Sequence, residues 1–210
     1  MGDLIASERS PDRARLHADF NAAVQAANRG ADAALVSPLT ITLGDEFQGL
    51  ATTLVDALAL VRGLRLKLLA TDVECRFAIG RVRLSSPVNR EKAWNMMGEG
   101  LAETRDRLNE KSVGNAYRFH LGPDADPVIE RLMDAVGSAL TRAERGWTDR
   151  QRTVMLALLA EGRSVDQLST TLKVTPRAVY KIRDAAGWDA CSGWWDDLMA
   201  AAAALDARAS

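Results

Sequence analysis

The segment from residue 148 to residue 185 constrains the fold of this chain most strongly, because it carries three helical patterns with well-marked ends. Gly162 closes the first pattern, since glycine readily takes the left-handed conformation found just beyond helix ends. Ser164 is a favourable N-cap for the second pattern, and Thr175 for the third. Pro176 then occupies the first helical position, where its missing N–H is not needed. The sequence therefore predicts three short helices joined by tight turns.

Such a series of capped helices is typical of a helix-turn-helix, in which the last helix lies in the major groove of DNA. The residues predicted to face the bases begin the third helix: Pro176, Arg177, Tyr180 and Lys181. Those predicted to contact phosphates flank it or cap its neighbour: Ser164, Lys173, Thr175 and Arg183. The alternative is a plain three-helix bundle with a solvated basic face.

The distribution of charge supports a separate role for this segment. Residues 147–187 contain seven basic and four acidic residues, a net charge of +3. The whole chain has a net charge of −1, so the rest carries −4. A small basic module joined to a mildly acidic body indicates two functions in one chain, with DNA as the expected partner of the basic part.

Three tryptophans follow the third helix and precede an alanine-rich helical tail: Trp188, Trp194 and Trp195. They either pack back on the body or form a dimer contact. Most helix-turn-helix proteins bind paired half-sites as dimers, so we expect a homodimer.

Strands and helices alternate through the first 145 residues, which predicts an α+β or α/β fold. We expect an α+β domain over residues 1–122, a connecting helix over 123–146, and a helix-turn-helix domain with a C-terminal helix over 147–210. No low-complexity linker separates them, so we expect the parts to pack together. The predicted elements are helices at 12–29, 50–69, 93–111 and 124–145, strands at 34–43, 75–84 and 115–120, and a turn at 44–49.

Two aspartates, Asp3 and Asp45, are the candidate chemical site. If Asp3 lies near the end of one strand and Asp45 in a hairpin beside it, their carboxylates meet at one edge of a sheet. Paired carboxylates hold Mg²⁺, which usually also binds the phosphates of a nucleotide. The alternative is that Gly44-Asp45 is only a turn, since both residues tolerate the backbone that a turn requires.

The run from Thr40 to Gly49, preceded by Gly2 to Ser7, resembles the SatD family of bacterial proteins. Cys75 to Arg81, the helix that contains Arg105 and the C-terminal helix-turn-helix continue the resemblance over nearly the whole chain.

A more distant similarity is to the class III nucleotide cyclases, through the order Asp3, Gly44-Asp45 and then Arg76 to Gly80. This resemblance implies a ferredoxin-like βαββαβ core. It implies that Asp3 and Asp45 bind Mg²⁺, and that Arg105 contacts the phosphates of a nucleotide.

The chain also departs from the cyclase pattern. Leu101 replaces an asparagine of the cyclase helix motif, and no lysine precedes Gly44 in the strand. Met1 lies two residues before Asp3, so we expect the central strand that presents this aspartate to be missing. These departures favour a degenerate cyclase-like domain that binds a ligand or joins two copies.

Other functional classes find little support. The chain has no run of about 18 apolar residues and no basic region with a long apolar core at its start, so we expect a cytoplasmic protein. Cys75 and Cys191 lie far apart without a CxxC pair, which is typical of two reduced, packed thiols. With only His17 and His120 available, no zinc site is expected.

Three hypotheses follow. The first is a DNA-binding regulatory protein whose N-terminal domain senses a ligand or dimerises. The second is a Mg²⁺-dependent enzyme that acts on nucleoside triphosphates through Asp3 and Asp45. The third is a protein-interaction module whose helix-turn-helix no longer meets DNA.

Overall fold

The computed structural model describes residues 1–5, 12–31, 33–110 and 114–208. Within these residues an alternation of strands and helices is followed by a run of helices, with eight helices in all. The elements are β1 (Gly2–Leu4), α1 (Arg13–Gly30), β2 (Leu35–Leu43), β3 (Glu46–Ala51), α2 (Leu54–Ala70), β4 (Cys75–Gly80), β5 (Arg83–Leu84), β6 (Gly98–Glu99), α3 (Leu101–Asn109), β7 (Tyr117–His120), α4 (Pro127–Arg145), α5 (Asp149–Leu159), α6 (Val165–Leu172), α7 (Pro176–Ala185) and α8 (Trp188–Ala207).

Five strands form one mixed sheet in the order β2-β3-β1-β4-β7. Strands β2, β3, β1 and β4 pair with one another in antiparallel fashion, whereas β7 runs parallel to β4. The short strands β5 and β6 pair separately. The chain therefore has the mixed α and β architecture that the sequence predicts.

Strand β1 lies at the centre of the sheet, so the prediction that this strand is missing is wrong. Although it has only three residues, it pairs with both neighbours: Gly2 lies opposite Phe47 on one side and Phe77 on the other. A Cβ atom on Gly2 would lie 2.6 Å from the ring of Phe47. Because Gly2 has no side chain, the rings of Phe47 and Phe77 approach each other across the strand, with centroids 6.1 Å apart.

These two rings belong to a row of aromatic side chains that crosses one face of the sheet. Phe20 of α1 packs on Phe47, and Phe77 stacks on Tyr117 of β7. Tyr117 in turn meets the edge of Trp195 from α8, at a centroid distance of 5.3 Å. All five rings are buried. One continuous core therefore joins the sheet to the C-terminal tail.

Several of the predicted element boundaries are wrong. The strand predicted over 75–84 ends at Gly80, and Arg83–Leu84 form the separate strand β5. Residues 46–51 continue as β3, so the predicted turn is confined to Gly44 and Asp45, and α2 begins only at Leu54 behind its cap Thr53. The helix predicted from residue 93 begins at Leu101, because the preceding residues include β6. Lys111, its predicted end, lies outside the described residues, as do Ala6 and Ser7 of the N-terminal run.

The C-terminal helices pack directly on the sheet-bearing body. Helices α5 and α8 both contact α2. The carboxylate of Asp206 accepts hydrogen bonds from the backbone N–H groups of Leu54 and Val55, at 3.0 and 3.1 Å, and so caps α2. The sequence left open whether the tryptophans pack on the body or form a dimer contact. Trp195 packs on the body and is fully buried. Within the described residues no helix is both long enough and apolar enough to cross a membrane.

A buried ion pair lies where α2, α4 and the sheet meet. The Arg65 guanidinium contacts the Glu144 carboxylate at 3.0 Å, and both side chains are fully buried. Arg65 also donates to the carbonyl of Cys75 at 2.8 Å, and the Tyr117 hydroxyl donates to Glu144 at 2.6 Å. Arg65 also pairs with the partly exposed Glu74 at 3.0 Å. The network thus compensates two buried charges that would otherwise be strongly destabilising.

Removing one partner of this ion pair should therefore strongly destabilise the folded protein. We expect Glu144→Ala to lower the free energy of unfolding by about 3–5 kcal/mol, because it removes the buried partner of Arg65 and leaves only the partly exposed Glu74 to pair with that charge. Urea unfolding measures the loss. The control is Glu99→Ala, since Glu99 pairs with Arg83 at the surface and such exposed pairs contribute at most about 1 kcal/mol. Equal losses in the two variants would contradict the prediction.

Both cysteines are free and buried, as the sequence predicts. Burial raises the pKa of the Cys75 thiol well above its ordinary value. Burial also raises the pKa of the Cys191 thiol to about 11.

Neither thiol should therefore react in the folded protein at pH 8, because both remain protonated and covered. We expect mass spectrometry to detect no adduct after treatment with iodoacetamide, and two adducts when the same treatment is made in concentrated urea. Labelling of either cysteine in the folded protein at the rate seen in urea would show that the thiol is accessible.

Candidate nucleic-acid interface

Local hydrogen bonds define the ends of the helices in the basic segment. The Ser164 hydroxyl accepts a hydrogen bond from the Gln167 N–H, and the Gln167 side chain accepts one from the Ser164 N–H, which begins α6. Lys173 ends α6 in the left-handed conformation, with φ of 53°. The Thr175 hydroxyl then caps α7, with Pro176 at its first position. The turn between α6 and α7 is therefore as short as the sequence predicts.

A small apolar core fixes α7 against the preceding helices. Val179 is fully buried with Val154 of α5 and Leu168 of α6. The Trp147 indole N–H donates to the carbonyl of Ala186 at 2.8 Å, which ties the end of α7 to the start of α5. These contacts hold α7 against the preceding helices and leave its opposite side exposed.

The predicted base-reading residues form one exposed surface, which we call the α7 face. It consists of Pro176, Arg177, Tyr180 and Lys181, all of them exposed. Arg177 and Lys181 are one helical turn apart and form no hydrogen bond or ion pair with any described residue. Both cations are thus available to a ligand outside the protein.

The residues predicted to contact phosphates lie in more varied surroundings. Ser164, Lys173 and Thr175 are exposed, and two of them are N-caps. The first turn of a helix carries unpaired N–H groups and a partial positive charge, which favours a phosphate there.

Arg183 is held within the protein. Its guanidinium lies 4.8 Å from the ring centroid of Tyr180 and 5.5 Å from that of Trp188. It also pairs with Asp184 at 3.0 Å. Its predicted phosphate contact remains a prediction; in the structure its guanidinium lies against the rings of Tyr180 and Trp188. Sequence reasoning missed Trp188 as its support, because the turn at Gly187 separates the two residues.

The second predicted site lies on the charged face of the sheet, which carries Asp3, Glu46, Arg76 and Arg118. Asp3 and Arg76 are register partners on β1 and β4, and their side chains form an ion pair at 2.6 Å. Asp45 lies in the β2–β3 turn, where its carbonyl accepts the N–H of Leu4 at 2.9 Å. The backbone thus brings the two predicted metal ligands to neighbouring positions.

This donor set does not fit Mg²⁺ as it stands. The carboxylate of Asp3 already has the positive charge of Arg76 beside it, which opposes a cation. Among the described residues no three His, Cys, Asp or Glu side chains cluster so as to hold a metal. Arg105 pairs with Glu46 at 3.0 Å and donates to Gln48 at 3.1 Å. Its predicted contact with a nucleotide phosphate remains a prediction.

We therefore expect millimolar MgCl₂ to leave the thermal unfolding midpoint unchanged, because a ligand stabilises a protein only through the sites that it binds. Differential scanning fluorimetry measures the midpoint, and NaCl of equal ionic strength is the control. A rise that Mg²⁺ causes in the wild type, and that Asp45→Asn abolishes, would establish a metal site instead.

The fold and these two sites define a mixed α and β protein with a basic helical segment packed on its body. The chain belongs to the SatD family, whose model matches residues 1–183. This match includes the sheet and nearly all of α7, and it ends before α8. The chain matches no curated protein sequence and no solved structure.

Proposed function

We propose that this SatD-family protein is a DNA-binding regulator in which α6 and α7 form a helix-turn-helix. The observation that carries the proposal is the α7 face, where Arg177 and Lys181 are exposed and without partners among the described residues. Arginine at this position can donate two hydrogen bonds to a guanine in the major groove, and lysine can donate to the same acceptors.

The surroundings of the α7 face favour the same role. The capped N-termini of α6 and α7 offer backbone N–H groups to phosphates, as the flanks of a recognition helix do. Tyr180 is held in place by Arg183, so that its ring presents an ordered surface to a thymine methyl or a sugar. The buried contacts of Val179 and Trp147 keep α7 rigid, which lowers the entropic cost of binding.

We interpret the body as a ferredoxin-like core with one additional strand. The succession β1-α1-β2-β3-α2-β4 and the strand order β2-β3-β1-β4 support this interpretation, and β7 extends the sheet beside β4. In the proposed function this body senses a small ligand or joins two copies. A change in the spacing of two α7 faces would then alter the affinity for paired half-sites.

Binding to DNA should depend on salt and on Arg177. We expect the full chain to enrich a preferred duplex from a random pool, with affinity that falls steeply between about 50 and 200 mM salt. Arg177→Ala should weaken binding to that duplex by about 1–3 kcal/mol, because a base contact is lost. Fluorescence anisotropy of the labelled duplex measures both effects.

Arg90→Ala is the matched control, since it removes the same charge from an exposed arginine between β5 and β6. We expect it to leave the affinity unchanged. Equal losses in the two variants, or no enrichment of any duplex, would contradict the proposal. Turnover of ATP or GTP with Mg²⁺ by a chain that does not bind DNA would favour the enzyme hypothesis instead.

A further inference from the structure

Helices α7 and α8 are connected by a cluster of two aromatic rings and one guanidinium. The guanidinium of Arg183 lies 4.8 Å from the ring centroid of Tyr180 and 5.5 Å from that of Trp188. We call these three residues the α7–α8 cluster. Tyr180 and Arg183 belong to α7, whereas Trp188 is the first residue of α8. A residue of the α7 face is therefore joined through one cation to the next helix.

The members of the α7–α8 cluster become more buried from the α7 face inward. Tyr180 is 45% exposed, and the side chain of Arg183 is 23% exposed. Trp188 is partly buried and packs against the main apolar core. A guanidinium is attracted to the faces of aromatic rings, and most strongly to that of tryptophan. The cluster thus ties the exposed ring of Tyr180 to the core of the protein.

The junction between the two helices holds Trp188 in position. Gly187 lies between α7 and α8 in the left-handed conformation, with φ of 76°, and α8 begins at once. The carbonyl of Ala186 accepts the hydrogen bond from the Trp147 indole N–H at 2.8 Å. The support on which Arg183 rests is therefore itself fixed by a specific backbone turn and a buried hydrogen bond.

A ring held in this way has a defined use on a helix that lies in the major groove. Tyr180 follows Arg177 by three residues, so both side chains lie on the α7 face. Base pairs present one apolar group in the major groove, the 5-methyl group of thymine, and apolar side chains contact it. A ring that is already ordered loses less conformational entropy when it makes this contact.

We propose that Tyr180 contacts the methyl group of a thymine, and that Arg183 and Trp188 are positioning residues for its ring. The inference rests on the proposed function, to which it adds a base preference. It also makes the first turn of α8 part of the DNA-reading element, although α8 itself lies outside the helix-turn-helix.

Deoxyuridine tests the contact, because it differs from thymidine only in lacking the 5-methyl group. Each thymine of the duplex that the full chain enriches is replaced in turn, and fluorescence anisotropy gives the dissociation constant at one salt concentration. We expect replacement at one or more positions to weaken wild-type binding by about fourfold, the effect of one buried methyl group. Tyr180→Ala should bind the thymine and deoxyuridine duplexes equally, since it has no ring to contact the methyl group.

The same comparison tests the positioning residues. Trp188→Leu should bind the deoxyuridine duplex as the wild type does, but should lose most of the preference for thymine, because the ring of Tyr180 is no longer held. Trp188→Phe should keep the preference, since it retains an aromatic face for Arg183. Trp94→Leu is the matched control, because Trp94 is 56% exposed between β5 and β6. Circular dichroism confirms that every variant is folded.

The outcomes that overturn this inference differ from those that overturn the proposed function. If the chain binds DNA but no thymine position is sensitive, the methyl contact is absent and the proposed function stands. If Trp188→Leu keeps the preference as Trp94→Leu does, Trp188 is not a positioning residue. If Arg183→Gln weakens binding to every duplex alike and lowers the salt slope by about 1, Arg183 contacts a phosphate instead. A chain that enriches no duplex overturns both proposals.

Discussion

The ion pair between Arg65 and Glu144 is the interaction on which the rest of the structure depends. It lies in the interior, where an isolated charge would be prohibitive. Glu144 is compensated by Arg65, and Arg65 is paired with both Glu144 and the partly exposed Glu74. Arg65 comes from α2 and Glu144 from α4, while Tyr117 and the backbone of Cys75 supply hydrogen bonds from two neighbouring strands. The network therefore fixes the positions of two helices relative to the sheet. Directional bonds of this kind select one packing among the many that apolar contacts alone would allow.

The same helices hold the α7 face in place. Helix α2 packs against α5, which in turn packs against α7, and α4 packs against α8. The α7 face is consequently attached to the core of the body without a flexible linker between them. If α7 reads DNA as proposed, this connection would allow a change in the body to alter the spacing of two α7 faces. It also means that substitutions in the core would affect the position of the α7 face.

The parts of the structure that depend on neighbouring residues could be predicted from the sequence. Ser164 and Thr175 cap helices at the expected positions, because a capping hydrogen bond spans only three residues. The exposed residues of α7 followed from helical periodicity in the same way. Strand β1 could not be predicted, since three residues carry little pattern and the strand forms only because Gly2 fits between two strands distant in sequence. The pairing of Asp3 with Arg76 spans 73 residues, and no local pattern reveals it.

The cap on α2 has a consequence for how the protein is made. The N–H groups of Leu54 and Val55 receive their acceptor from Asp206, which is more than 150 residues further along the chain. Trp195, which completes the aromatic row, also lies in α8. Until α8 has been synthesised, the N–H groups of Leu54 and Val55 therefore lack this acceptor, and the ring of Tyr117 lacks its contact with Trp195. The core of the body closes only after α8 has emerged, so the body folds to completion through a long-range contact rather than as an independent early unit.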